Sequence, residues 1–381
     1  MATLNEQRTA ERYLRLSQAF QLAEAGLDDA IVQLRDDSSW SGRAYTALST
    51  GGGYEVSVTS VSSTLKRLTS TGHYPSNNTS AFGYQSRQLE AYVATAEPSP
   101  FDYALFAANT IQVDSNAAVD SYNSDAGVYG GANVGTEGDV GSNATGASTI
   151  NLAANSQISG DAVIGVGGNT ATAITKAKTA TISGLEASLI SSKDLTPETY
   201  SASGSAPLTS STTLAGGAYN YTNVDLNTGD SVLVTGNVTL YVDQYFHMDS
   251  NSQFVTTCTD CSITIYVKGD SYSGAPAAFD LASNCLLSAG AKPTNLTLYV
   301  TAVSGATSTR AVNIRSNTPM YGAIHAPLST LTVNSNIAFY GAAIAKSITL
   351  NSNAAVHYDV ALQDSGMGGA GSVQVETWRE L

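Results

Sequence analysis

The first 36 residues of the chain show the apolar periodicity of a helix. No proline occurs between residues 4 and 36, and Gly26 is the first glycine. Apolar side chains recur three to four positions apart, which places them on one stripe of a helix. The stripe consists of Leu16, Phe20, Ala23, Leu27, Ala30, Ile31 and Leu34. The pattern therefore predicts one helix over residues 4–36 that buries this side.

Three runs of alternating apolar and polar residues follow, at 54–61, 64–71 and 87–94. Such alternation is typical of half-buried strands. One long helix followed by three strands predicts a helix that packs across a small antiparallel sheet. The sequence Glu97-Pro-Ser-Pro100 then breaks the pattern. We therefore predict an α+β head domain over residues 1–97.

From about residue 104 onward a short unit repeats, with two apolar residues around one variable residue, followed by a small residue and Asn. Its seven copies end at Asn116, Asn155, Asn251, Asn284, Asn317, Asn336 and Asn353. One coil of such a repeat cannot bury its own apolar face, so coils stack. Asn tolerates the left-handed conformation of a corner, and stacked amides form a ladder. The repeats predict a parallel β-helix (β-solenoid) over 101–368 rather than a β-sandwich, with Asn251, Asn284, Asn317, Asn336 and Asn353 stacked as a ladder.

The last residues combine a flexible linker with a strand pattern. A glycine-rich run ends at Ser372, and Val373, Val375 and Trp378 follow it. We predict that residues 369–381 form a strand that either returns to the open edge of the head sheet or caps the last coil. In the first arrangement we expect Trp378 to pack on the helix.

The composition narrows the possible functions. Only 13% of the 381 residues are charged and the net charge is −14, whereas about 25% is usual in globular domains. An acidic chain without clusters of Lys and Arg is not expected to bind nucleic acid or an anionic membrane face. The composition is typical of extracellular proteins. The chain has neither a signal peptide nor an apolar run of the length that crosses a bilayer.

The three cysteines favour a disulfide over a metal site. They are Cys258, Cys261 and Cys285. A structural zinc site needs four ligands, and no second Cys-x-x-Cys is present. An extracellular protein would oxidise one pair. We predict a local Cys258–Cys261 disulfide, with Cys285 buried and reduced.

No constellation of catalytic residues is recognisable. His73, His247, His325 and His357 lie outside any known motif. A lyase or glycosidase would need carboxylates on adjacent coils. The 33-residue register instead stacks Asp249, Ala282 and Arg315. We therefore expect no enzymatic activity and no cofactor.

Five aspartates crowd the first coils of the repeat region, and oxygen-rich loops of this kind can bind Ca²⁺. They are Asp114, Asp120, Asp125, Asp139 and Asp161. No known Ca²⁺-binding repeat is present, so acidic surface turns are the favoured interpretation.

The N-terminal helix resembles a known family. Residues 4–13 and 18–31, and above all Ala23-Glu-Ala-Gly-Leu27, are similar to the helix of PilX-type pilus assembly proteins, which are minor pilins of type IV pili. The repeats, Gly138-Asp-Val-Gly-Ser-Asn143 and the terminal Glu376-Thr-Trp-Arg-Glu-Leu381 resemble the large C-terminal extensions of some members. Family members carry a leader and an apolar stretch ahead of this helix, where this chain has Met1-Ala-Thr3. We expect a longer precursor that is anchored in the cytoplasmic membrane; a naturally soluble paralogue is the alternative.

The resemblance implies a non-enzymatic minor-pilin-like component of a type IV pilus or related filament. Its helix would bind other pilins, and its β-helix would be displayed outside the cell for adhesion to a surface or glycan receptor. Two alternatives remain open. One is a β-helix lyase or glycosidase tethered to a pilus, and the other is a scaffold that polymerises through the ends of the solenoid.

Overall fold

A computed structural model describes residues 2–36, 40–49, 51–61, 65–94, 99–201, 203–269, 277–302, 305–363 and 374–380. The chain divides into two compact units. Unit 1 combines Met1–Ser99 with Gly366–Leu381, and unit 2 is Pro100–Ser365. The protein is mainly β, with one long helix at the N-terminus and a large parallel sheet, which confirms this part of the predicted fold.

Unit 1 is a helix on an antiparallel sheet. Helix α1 spans Ala2–Asp36, and the strands are β1 (Gly42–Ala47), β2 (Gly53–Ser60), β3 (Leu65–Tyr74), β4 (Gln85–Ala94) and the last strand of the chain, Gln374–Glu380. They lie side by side in this order. The three runs predicted as strands form β2, β3 and β4, whereas the short β1 was not predicted.

The second half of α1 forms the core of unit 1. Ala23, Leu27 and Leu34 are buried against Leu68 and Leu89 of the sheet. The helix approaches the sheet closely because glycine, which has no side chain, occupies two of the contact points. A Cβ on Gly72 would lie 2.0 Å from the Ala19 carbonyl oxygen, and a Cβ on Gly26 would lie 2.2 Å from Ser70 Oγ. The packing explains why this half of the helix is rich in alanine.

The last strand lies antiparallel beside β4 and pairs Gln374 with Ala94 and Arg379 with Glu90. An ion pair of 2.7 Å joins Arg379 to the buried Glu90. Trp378 is 58% exposed, so the expectation that it packs on the helix is wrong. Helix α1 contacts β2, β3 and β4, and the last strand lies beyond them at the edge of the sheet.

Unit 2 consists of short strands that pair in parallel. The first group is β5 (Leu105–Ala107), β6 (Ile111–Val113), β7 (Ala118–Tyr122), β8 (Val140–Ser142), β9 (Ile150–Leu152), β10 (Gln157–Ile158), β11 (Ala162–Ile164), β12 (Ile174–Lys176), β13 (Thr181–Ile182) and β14 (Glu186–Ser188). The second group begins with β15 (Thr212–Leu214), β16 (Gly217–Tyr221), β17 (Val224–Leu226), β18 (Ser231–Val234), β19 (Val238–Val242), β20 (Phe246–Met248), β21 (Gln253–Thr256) and β22 (Ile263–Lys268). It continues with β23 (Ala277–Leu281), β24 (Leu286–Ser288), β25 (Leu296–Thr301), β26 (Ala311–Ile314), β27 (Met320–Val333), β28 (Ala338–Leu350) and β29 (Ala355–Asp359), so that the last strand of the chain is β30. Helix α2 (Thr170–Ala173) and 3₁₀ turns at Pro293–Asn295 and Val360–Leu362 complete the unit.

The repeated unit aligns residue by residue across nine neighbouring strands. One buried column contains Val224, Phe246, Phe279, Val312, Leu331, Ile348, Ile111, Ile150 and Ile174. The next residue of each strand points outward. The resulting outward column contains Asp225, His247, Asp280, Asn313, Thr332, Thr349, Gln112, Asn151 and Thr175. Alternation along each strand thus becomes one apolar and one polar column across the sheet.

The spatial order of the strands differs from their order in the chain. Strand β28 pairs with β27 on one side and with β5 and β6 on the other, and β29 pairs with β7. The first strands of unit 2 therefore continue the stack after its last strands. The Tyr358 hydroxyl donates to the Phe101 carbonyl at 2.6 Å, so the beginning and the end of the unit meet within the stack. The sequence repeats alone do not specify this order.

The strands of unit 2 belong to one 21-stranded sheet and one four-stranded sheet of β15, β18, β21 and β24. Neither sheet is closed. The parallel pairing is thus a property of the structure, and its winding into a β-helix is part of the proposal made below.

Candidate functional site

The candidate site is a group of charged side chains in and beside the outward column of unit 2. It consists of Asp225, His247, Asp280 and Arg315, which we call the charged row. The first three residues lie side by side on β17, β20 and β23, and Arg315 directly follows β26. The 33-residue repeat brings together side chains that are far apart in the sequence.

Each side chain of this row contacts another member of the row. His247 Nδ1 lies 2.9 Å from Asp225 Oδ1, and its Nε2 lies 3.7 Å from Asp280 Oδ2. Arg315 Nε donates to Asp280 Oδ1 at 2.8 Å, and a second guanidinium nitrogen contacts Asp280 Oδ2. The Tyr245 hydroxyl donates to Asp225 Oδ2 at 3.0 Å. Both carboxylates are thus engaged by polar partners in or beside the row.

Asp249 follows the 33-residue register with Ala282 and Arg315, because the residues directly before these three are paired, but its carboxylate has partners outside the charged row. Its carboxylate accepts hydrogen bonds from the Ser250 N–H at 2.7 Å and the Thr228 hydroxyl at 2.9 Å. Both hydrogen bonds lower the pKa of Asp249, and the one from the Ser250 backbone has the larger effect. The partner of Arg315 is Asp280 on the neighbouring strand β23, which is aligned with Asn313.

A second cluster joins residues from both ends of unit 2. His357 Nδ1 lies 2.6 Å from Asp120 Oδ1, and the Tyr129 hydroxyl donates to Asp120 Oδ2 at 2.6 Å. The imidazole contacts the rings of Tyr129 and Tyr340, at centroid distances of 3.8 and 4.7 Å. Burial, together with the hydrogen bond to Asp120, raises the pKa of Tyr129. Sequence reasoning missed this cluster because residues 237 positions apart become neighbours only through the pairing of β29 with β7.

One sequence signal could have indicated this pairing. Strand β29 reads Ala355-Val-His-Tyr-Asp359, and β7 reads Ala118-Val-Asp-Ser-Tyr122. Both begin with Ala-Val and both place a polar residue third, and these residues are aligned in the sheet.

The five aspartates considered as Ca²⁺ ligands have separate partners. Asp139 accepts from the Asp161 N–H and Asp161 from the Leu185 N–H, both at 2.7 Å. Burial raises the pKa of Asp139. The other three contact different residues: Asp114 contacts Gln112, Asp120 contacts His357, and Asp125 contacts Lys292. Among the residues described, no group of three or more His, Cys, Asp or Glu side chains is placed to hold a metal ion.

The corner asparagines adopt the conformation for which the repeat selects them. Positive φ angles between 57° and 64° occur at Asn116, Asn155, Asn251, Asn284, Asn336 and Asn353. The side-chain amide of Asn317 donates a hydrogen bond to Asn284 Oδ1 at 3.2 Å, and that of Asn353 donates one to Asn336 Oδ1 at 3.3 Å. Asn317 does not adopt a positive φ, so its corner differs from the others. The amide ladder is therefore made of pairs.

The cysteines and His325 lie in the interior or in turns. Cys258 and Cys261 form a disulfide with Cα atoms 5.7 Å apart. Cys285 is a buried free thiol, and burial raises its pKa to about 11. His325 is buried as well, and burial followed by the charge of Lys193 lowers its pKa to about 4. Its Nδ1 has no hydrogen-bond partner in the described part of the chain. None of these groups is poised for chemistry on a bound molecule.

None of the helices in the described residues is both long and apolar enough to span a membrane.

The sequence profile of the Domain of unknown function (DUF7305) matches residues 165–365, which is more than half of the chain and lies within unit 2. No curated protein matches the sequence. Among solved structures, the competence-associated pilin ComZ from Thermus thermophilus aligns over 96% of this chain and 97% of its own, with 13% identity and a TM-score of 0.39. A likeness at this level carries no argument about function. By the profile match, the chain belongs to the family of the Domain of unknown function (DUF7305).

Proposed function

We propose that this protein is a minor-pilin-like component of a type IV pilus or a related filament on the cell surface. Unit 1 would join the filament through α1. Unit 2 would be a parallel β-helix displayed as a non-enzymatic adhesion or interaction module. The resemblance of residues 4–31 to PilX-type proteins motivates the proposal, and the packing of α1 supports it.

The observation that carries the proposal is the difference between the two halves of α1. Ala23, Leu27 and Leu34 are buried in unit 1, whereas residues 6–14 are all exposed. Tyr13 is 70% and Leu14 61% exposed. An exposed helical segment with neighbouring large apolar side chains is suited to pack against other helices. We take those helices to be the α1 helices of other pilins.

The β-helix proposal rests on the register of unit 2. Nine strands place the same residue of the repeat in one buried column, and Asn at positive φ recurs at the corner. A β-helix stacks equivalent residues in this way. The outward column is polar throughout, which suits a surface that binds a hydrophilic receptor such as a glycan.

Site-specific crosslinking in cells that make the natural full-length protein would test the proposal. A photoreactive amino acid at Leu14 should crosslink to pilin subunits, whereas the same group at the exposed Val128 of unit 2 should not. Equal yields at both positions, or none at Leu14 in piliated cells, would contradict the filament role of α1.

The charged row offers a direct test of the non-enzymatic proposal. A lyase or glycosidase needs a carboxylate or base that is free to act on the substrate, but Asp280 is held by Arg315 and Asp225 by His247 and Tyr245. Purified protein should release no products from acidic or neutral polysaccharides. Turnover that disappears in Arg315→Ala would instead establish the carbohydrate-active alternative.

A further inference from the structure

The two ends of the strand stack in unit 2 differ in charge. One end is formed by β12, β13 and β14, which pair only with β9, β10 and β11 among the described strands. The opposite end is formed by β15 and β16, which pair only with β18 and β19. Each end therefore presents main-chain groups on the side that has no neighbouring strand. An edge of this kind is a template for another strand unless it is protected.

The end formed by β12, β13 and β14 carries such protection. Lys176 at the end of β12 forms an ion pair with Glu186 on β14. Lys178 follows two residues later and is also partly exposed. Charges on an edge oppose pairing because they would have to be desolvated in the new sheet. We call this the charged end.

The opposite end, which we call the uncharged end, lacks this protection. No Lys, Arg, Asp, Glu or His occurs from residue 199 to residue 224, although 13% of the chain is charged. Residues 209–218 are all exposed except Leu214. A Cβ on Gly217 would meet no atom within 4 Å, so the sheet face is uncovered at this residue. Gly204 lies directly against the backbone of Tyr221 and so covers the end of β16. The first part of the strand is therefore the uncovered part.

We propose that the uncharged end pairs with the same end of a second copy of this chain. Two β16 strands related by a two-fold axis would run antiparallel and satisfy each other's free N–H and C=O groups. The chain has a net charge of −14, so an edge without charges is where two copies meet with the least repulsion. Only one end of the stack is unprotected, and an isologous contact of one patch closes at two subunits.

The size of the end limits the affinity. The uncharged end and the segment beside it, residues 203–221, comprise fewer residues than the roughly 20–30 a side of a standard stable interface. The contact consists mainly of main-chain hydrogen bonds, and the two aromatic side chains of β16, Tyr219 and Tyr221, are already partly buried within the chain. The dimer should therefore dissociate in the micromolar range.

Sedimentation velocity of the whole chain between about 1 and 200 μM tests the proposal, since the mass of 39.3 kDa should double at the high concentrations. Ala218→Lys adds a charge to the exposed edge of β16 and should weaken the dimer at least tenfold. Thr181→Lys adds the same charge to the exposed edge of β13 at the charged end and should leave the dimer unchanged. Far-UV circular dichroism checks the fold, and Asn220→Lys repeats the test at a second exposed position of β16.

Three outcomes would overturn the proposal. The first is a wild-type chain that stays monomeric over the whole range. The second is a dimer whose dissociation constant is the same in Ala218→Lys and Asn220→Lys as in Thr181→Lys. The third is growth beyond dimers into filaments, which would mean that both ends of the stack take part.

Discussion

Arg310 connects three segments of unit 2 through their carbonyl groups, and its replacement should strongly destabilise this unit. Its Nε donates to the Gly269 carbonyl at 3.1 Å and its Nη1 to the Ala277 carbonyl at 2.8 Å. Its Nη2 donates to the carbonyls of Lys268, at 3.1 Å, and Gln244. Arg310 lies directly before β26, and the acceptors lie before β20, at the end of β22 and at the start of β23. One guanidinium thus fixes four neighbouring strands.

The magnitude follows from the number of hydrogen bonds and from the exposure of the site. A hydrogen bond to a charged group contributes about 1.5–3 kcal/mol. Four such bonds overstate the loss in Arg310→Met, because the site is half-exposed and water can reach some of the carbonyls. With two bonds lost without replacement, the free energy of unfolding should fall by about 3 kcal/mol. For a unit of this size that corresponds to a decrease in Tm of about 6–12 °C.

The assay can separate the two units because both tryptophans, Trp40 and Trp378, belong to unit 1. Thermal unfolding followed by tryptophan fluorescence reports on unit 1, whereas far-UV circular dichroism is dominated by the larger unit 2. Arg310→Met should lower the dichroism midpoint and leave the fluorescence midpoint unchanged. Arg315→Ala is the control, because its guanidinium is 45% exposed and its ion pair with Asp280 contributes about 1 kcal/mol or less.

Two results would refute this reasoning. If the dichroism midpoint of Arg310→Met lies within about 2 °C of that of Arg315→Ala, the four carbonyls do not depend on the guanidinium. If the fluorescence midpoint falls by as much as the dichroism midpoint, the effect is not confined to unit 2. Arg310→Lys should recover less than half of the loss, because one ammonium group cannot reach all four acceptors.

Three further predictions concern single residues of unit 2. Asn284 has φ of 59°, so Asn284→Ala should cost about 1–2 kcal/mol in unfolding free energy, whereas Asn284→Gly should be nearly neutral. Burial lowers the pKa of His325 to about 4, so on acidification the unfolded chain takes up this proton before the folded chain does. The free energy of unfolding should therefore be at its full value above about pH 6.5 and fall by about 3 kcal/mol between pH 6.5 and 4. His325→Leu should remove this part of the pH dependence. The thiol of Cys285, with its pKa raised to about 11, should not react with a disulfide reagent at pH 8 until unit 2 unfolds.

Each of these predictions has an outcome that contradicts it. Equal midpoints in urea for Asn284→Ala and Asn284→Gly would show that backbone conformation at this corner carries no cost. An unchanged pH profile in His325→Leu would assign acid sensitivity to other groups. Rapid labelling of Cys285 in the folded protein would mean that the interior opens at this site.

The sequence predicted those features that depend on local periodicity. The stripe with Ala23 and Leu27 predicted the buried side of α1, and the alternation of Phe246-His-Met248 and its copies predicted which residues face inward. Both patterns depend only on side-chain spacing within one element. The distinction between apolar and polar positions was therefore accurate wherever the pairing preserved the register.

Features that depend on pairing between distant strands were not predictable in this way. A repeat indicates that its copies stack, but it does not indicate which copy lies next to which. The contact between His357 and Asp120, and the contact between Arg315 and Asp280, follow from the actual order and register of the strands. Trp378 was placed on the helix because large apolar residues are usually buried, but the width of the sheet keeps the last strand beyond α1.

The strand order of unit 2 bears on the distance between the first and last strands of this unit. The chain leaves unit 1 after β4 and returns as β30, and Ala94 and Gln374 are paired residues of neighbouring strands. In the chain, unit 2 is therefore an insertion between two strands that are neighbours in unit 1. Nine strands stacked consecutively at about 4.8 Å would separate the ends of unit 2 by about 40 Å.

Entry into the middle of the stack removes this separation. Phe101 and Tyr358 are then in hydrogen-bond contact at 2.6 Å, and β5 to β7 continue the stack where β28 and β29 end it. The stack can be extended at either side of this junction without changing the distance between its two chain connections. The same arrangement leaves both ends of the stack without a covalent link to unit 1, which is why their edges need either charges, as at Lys176 and Glu186, or a partner.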